Sequence, residues 1–185
     1  MLKLPRTIRL DPSDTFVFER AAEPGEWAVS GAFVFYDRDT AAMPQKQRVA
    51  FRSGFLGIDS LGWSTLAIVA DASEAEREQV VEKLAAQLSA KFGAPTAEAA
   101  RAAAEEEVAF AASLCDHDPQ TLLAVNRVFE EGQIRERFRT LKPRPVGQGG
   151  DGLHAYARAF TFHDVEGEEP AEEVDLRGLM KTDRT

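Results

Sequence analysis

Cysteine, histidine and positive charge are all scarce in this chain, and each shortage excludes something. The single cysteine among 185 residues, Cys115, cannot close an internal disulfide, which suits a reducing compartment. The three histidines, His117, His154 and His163, are too few for an evident metal centre, since a zinc site takes three or four ligands. His154 and His163 also fall on opposite faces of one expected strand. No apolar run approaches the ~20 residues of a membrane span; the best are residues 31–36 and 66–70. The opening MLKLPRTIRL has no continuous apolar stretch and no small-residue cleavage site, so no signal peptide is expected. The net charge of −9 is concentrated in residues 73–141 and 164–185, each of which carries a balance of −5. Such a surface repels nucleic acid and anionic lipid. The expectation is a soluble cytoplasmic protein that engages neither nucleic acid nor membrane and holds neither metal nor cofactor.

What is present is the pattern of an α+β protein. An apolar content of 44% is ordinary for a globular fold, and 185 residues suffice to bury roughly 70% of the unfolded surface. Residues 4–70 read as strands: Leu4–Leu10, Thr15–Arg20, Trp27–Tyr36, Arg48–Ile58 and Trp63–Ala70. The turn formers Pro24-Gly25 predict a hairpin between the second and third of these. Gly54 and Gly57 mark a bulge or a close backbone approach.

Residues 73–141 read as three helices. Ser73 with Glu76 makes a capping box, and Gly93-Ala94-Pro95 ends the first helix before Thr96 caps the second. Ala100, Ala104, Val108, Ala111 and Cys115 form a small-residue stripe that lets this second helix pack closely. Asp118-Pro119 opens the third, which carries Leu122, Val125 and Phe129, then Ile134, Phe138 and Leu141, with Gly132 as a kink. A return strand at Leu153–His163 completes a single domain, 1–163. An acidic tail, 164–185, follows. The expected architecture is an antiparallel sheet of five or six strands with a central block of three helices packed on it.

Candidate chemistry is thin, and no catalytic residue is assigned. Cys115, Asp116, His117 and Asp118 bring a thiol, a base and carboxylates together. The stripe and the helix cap account for them as structure, and Cys115 is expected to pack as an apolar residue. Arg135, Arg137, Arg139 and Arg144, followed by the loop that contains Gly149 and Gly150, form the best anion-binding candidate. Guanidinium groups fork onto phosphate or carboxylate, and a glycine loop bares backbone amides. The spacing matches neither a P-loop nor a dinucleotide fingerprint. In the tail, Leu176, Leu179 and Met180 fall on one side of a short helical turn and are candidates for docking onto a partner. Trp27, Phe33, Phe35, Phe51, Phe55 and Trp63 read as core rather than as a pocket.

The opening Leu4-Pro5-Arg6-Thr7-Ile8-Arg9-Leu10-Asp11, the segment Glu23-Pro24-Gly25-Glu26-Trp27 and the helix end Phe92-Gly93-Ala94-Pro95 resemble an uncharacterised, mainly alphaproteobacterial family. The resemblance spans most of the chain and supplies no activity. It implies an accessory role in the company of redox-enzyme assembly, and it identifies no residue. The expected function is that of a non-enzymatic accessory or interaction protein, with a protein partner or a second copy of itself. The alternative is a small-molecule or anion-binding domain, enzymatic or not, with its site at Arg135–Arg144 and the glycine loop after it.

Overall fold

The structure, a computed structural model, describes residues 1–143 and 160–164. Five antiparallel strands form the main sheet: β1 (Lys3–Ile8), β5 (Leu66–Asp71), β6 (Leu122–Glu130), β7 (Gln133–Pro143) and β8 (Phe160–Asp164), in the order β1-β5-β6-β7-β8. A smaller antiparallel sheet joins β2 (Ala28–Val29), β3 (Phe55–Gly57) and β4 (Trp63–Ser64). Helices α1 (Asp14–Val17) and α2 (Gln45–Ser53) lie in the first half, and α3 (Glu74–Lys91) and α4 (Ala97–Ser113) between β5 and β6. The fold is α+β, as the sequence predicts.

The helical pair forms for the reasons its sequence carries. The Ser73 hydroxyl accepts from the Glu76 backbone N–H at 3.2 Å, and the Glu76 carboxylate accepts from the Ser73 N–H at 2.8 Å. Gly93 takes φ 69°, which ends α3, and the Thr96 hydroxyl caps α4 by accepting from the Ala99 N–H. The stripe of Ala100, Ala104, Val108 and Ala111 is fully buried, in one core with Val80, Val81, Leu84 and Leu88 of α3. Cys115 continues that line into a second core with Ala67, Val69, Leu123 and Val125 of the main sheet.

Four expected elements are corrected. Thr15–Arg20 is not a strand: the chain there makes the one-turn helix α1, and the Asp14 carboxylate accepts from the Thr65 hydroxyl at 2.6 Å. Trp27–Tyr36 is a strand only at β2. Gly31, at φ 80°, breaks it, and Ala32–Phe35 coil into a 3-10 turn. The Pro24-Gly25 turn exists, but it folds the chain back onto β1, where the Gly25 N–H donates to Thr7 O at 2.9 Å. Arg48–Ile58 divides into α2 and the short β3. Gly54 is the break, and a Cβ placed there would lie 2.7 Å from Cε3 of Trp63, a close approach that only glycine permits.

The last correction matters most. The expected third helix is the hairpin β6–β7, so the helical block is two helices and not three. Glu131 and Gly132 both take positive φ, 51° and 77°, the pattern of a two-residue type I′ turn, so Gly132 sets a turn where a kink was expected. Asp118-Pro119 begins no helix; it belongs to the turn that delivers Thr121, whose carbonyl accepts from Val69 N–H at 2.9 Å, to the sheet. Of the return strand predicted at Leu153–His163, positions 160–163 lie within β8; the rest falls outside the described residues, as does the tail beyond Asp164.

Candidate functional site

Side chains alternate along β6 and β7, and this alternation sorts the polar groups. Leu123, Val125 and Arg127 of β6 share one face with Ile134, Glu136 and Phe138 of β7, the face that meets α4 and α2. Arg135, Arg137 and Arg139 occupy the other face, beside Ala124, Asn126 and Val128.

Among the described residues Arg127 is the largest fully buried side chain, 1% exposed. Burial pulls its pKa down and the Glu136 carboxylate pulls it back up. Its guanidinium donates to the carbonyls of Phe51 at 3.0 Å and Gly54 at 2.7 Å, and to that of Ser30. The first two close the C-terminus of α2, where the helix dipole favours a cation. Its Nε lies 3.3 Å from Glu136 Oε1. Ser30 Oγ sits 2.6 and 2.7 Å from the two oxygens of Glu136 and donates its proton to that carboxylate. One buried network therefore ties α2, the segment after β2, β6 and β7 together.

In front of the network opens a cleft of about 400 Å³, lined by Ser30, Ala32, Tyr36, Glu106, Glu107, Phe110, Ile134 and Glu136. Glu107, half-buried on α4, has its pKa pushed up to about 7, first by burial, then by the charge of Glu136. Its Oε2 is shielded from solvent and has no hydrogen-bond partner among the described residues. Tyr36 also titrates above its ordinary range, through burial and then the negative charges of Glu107 and Glu136. Tyr36 and Phe110 are 65% and 42% exposed, and they wall the cleft with aromatic surface. Anions are disfavoured here, since three carboxylates line the walls and the nearby guanidinium is already engaged. Among the described residues no group of three or more His, Cys, Asp or Glu is placed to hold a metal ion.

The structure distributes the expected candidates differently. Cys115 is 2% exposed, and burial pushes its thiol up to about 12, so it packs as an apolar residue. The His117 carbonyl accepts from Lys3 Nζ at 2.6 Å. Arg135, Arg137 and Arg139 line one strand face, all exposed, with Arg135 paired to Glu130 at 3.3 Å and Glu131 at 3.6 Å. Arg144, Gly149 and Gly150, and likewise Leu176, Leu179 and Met180, lie outside the described residues. Sequence reading missed the cleft and Arg127. Glu107 stood in a run of three glutamates that resembles any solvated helix face, and Arg127 stood in a segment read as helix.

These elements define an α+β protein whose main sheet carries a buried guanidinium–carboxylate network and an acidic cleft. The chain belongs to a family of unknown function, DUF6505, whose profile matches residues 1–157 and so takes in every element from β1 to β7. No curated protein and no solved structure matches it. No helix among the described residues is long and apolar enough to cross a membrane.

Proposed function

We propose that this protein is a non-enzymatic accessory protein that binds a protein partner through the arginine-bearing face of β7. One observation carries the reading: Arg135, Arg137 and Arg139 stand two residues apart on one exposed face of an 11-residue strand, in a chain of net charge −9. A local cationic column on an acidic protein selects a complementary acidic surface and orients it. Half-buried Ala124 and Val128 beside the column supply apolar contact. On this reading the protein works in the bacterial cytoplasm, and the resemblance of residues 4–11, 23–27 and 92–95 to a mainly alphaproteobacterial family associates it with the assembly of redox enzymes. The alternative, a small-anion site on the same arginines, is favoured by their guanidinium chemistry alone.

Affinity capture from a bacterial extract with wild-type protein and with the triple variant Arg135→Glu, Arg137→Glu, Arg139→Glu separates the two. A partner held by wild type, released by salt and absent from the variant supports the accessory reading. If no partner depends on the arginines, while inorganic phosphate raises the wild-type Tm and leaves the variant unmoved, the small-anion reading replaces it.

A further inference from the structure

The cleft between α4 and β7 is independent of the arginine column, which lies on the opposite face of the sheet. Its volume of about 400 Å³ lies within the ordinary range of small-ligand sites. The polar groups at its back are not equally satisfied. Glu136 holds the Ser30 hydroxyl and the Arg127 guanidinium. Among the described residues Glu107 holds nothing through Oε2, although that atom is shielded from water. A buried acceptor with no donor is costly, and because Glu107 also lines the cleft, a small turn of its carboxylate toward a ligand's donor there removes the cost.

Three properties of the walls fix the class of donor. Among the described residues Glu106, Glu107 and Glu136 outnumber the one guanidinium nearby, so the potential favours a cation. Tyr36 and Phe110 offer aromatic surface, which attracts an organic cation through its ring quadrupole. No third carboxylate, histidine or cysteine joins Glu107 and Glu136 in a geometry for a metal among the described residues, so a hard divalent ion is poorly served. We propose that this cleft is a binding site for a small organic cation, a protonated primary amine, seated between Tyr36 and Phe110 with its ammonium donating to Glu107.

Protons are linked to this binding. The charged or titratable groups around the Glu107 carboxyl are Glu106 on its own helix, Glu136 and Arg127 on the sheet, and Tyr36 after the 3-10 turn. An ammonium favours ionised Glu107, so binding at neutral pH expels a proton and tightens as pH rises from 6 to 8.

The test is calorimetric titration of the full chain with n-butylamine, with n-butanol and Mg²⁺ as comparison ligands. Saturable butylammonium binding is expected, accompanied by proton release that shows as a dependence on buffer ionisation enthalpy. Butanol and Mg²⁺ should bind at least about tenfold more weakly. Glu107→Gln should lose about tenfold or more, while Glu98→Gln, exposed in the first turn of α4 and away from the cleft, should bind as wild type does. In the wild-type protein, the NMR titration midpoint of the Glu107 carboxyl should move down when the amine is present. An unmoved midpoint, binding by Glu107→Gln equal to wild type, or equal or tighter binding of butanol or Mg²⁺ would each overturn the proposal.

Discussion

Arg127 and Glu136 face each other across the β6–β7 hairpin, with Nε 3.3 Å from Oε1, and each also reaches the Ser30 segment. The guanidinium is enclosed by protein and spends its other donors on the carbonyls that end α2. A buried charge with every donor placed is a point where a substitution is expensive, because one partner removed leaves the other stranded.

Arg127→Ala should therefore destabilise the fold by about 3–5 kcal/mol, seen as a lower urea midpoint. The double variant Arg127→Met, Glu136→Leu should recover much of that loss, since two apolar side chains leave no stranded charge. If Arg127→Ala costs no more than an exposed substitution, the network contributes nothing to stability.

Glu107 predicts a pH dependence whose sign is the reverse of an ordinary acid. Its folded pKa is raised from 4.5 to about 7, so the folded state holds a proton that the unfolded chain releases earlier. The stability linked to this proton is fully present below about 4.5 and is lost as pH rises through about 7. Its size is at most about 3 kcal/mol. Glu107→Gln should stabilise the protein at pH 8 and match wild type near pH 4, as read from thermal or urea melts at the two values. Equal stability of the two proteins at pH 8 would contradict the raised pKa.

Cys115 should resist thiol reagents in the native state, because it is 2% exposed and its thiolate is disfavoured. Labelling should accelerate only under conditions that unfold the chain. Fast native labelling at pH 7 would show that the thiol is reached from solvent.

Two glycines should differ in their cost. Gly54→Ala drives a methyl against Trp63 at 2.7 Å and the Ala50 carbonyl at 2.9 Å, so it should cost about 1–3 kcal/mol as an overpacked site. Gly132→Ala meets nothing within 4 Å and pays only for its positive φ, about 1 kcal/mol. Equal losses in denaturant melts would contradict this ordering.

Wherever a local rule was enough, the amino-acid order was readable. The capping box at Ser73, the stop at Gly93, the cap at Thr96 and the small-residue stripe of α4 stand where their chemistry puts them, since each rests on neighbours within about one helical turn. The α+β class follows from the same signals. The segment from Leu122 to Leu141 carried two periods at once: Leu122, Val125 and Phe129 fit a helix, while Arg135, Arg137 and Arg139 alternate as in a strand. Long-range contacts resolved that conflict. Arg127 can occupy an inward strand position only because α2 presents its terminal carbonyls and β7 presents Glu136, partners that lie 73 and 9 residues away in the chain. The same holds for Arg48–Ile58, which becomes helix and then strand because Gly54 must lie against the ring of Trp63. The cleft belongs to this second category as well. Glu107 stands in a run of glutamates, and its raised pKa, like the lack of a partner for Oε2 among the described residues, arises only when packing withdraws the water and brings it beside Glu136.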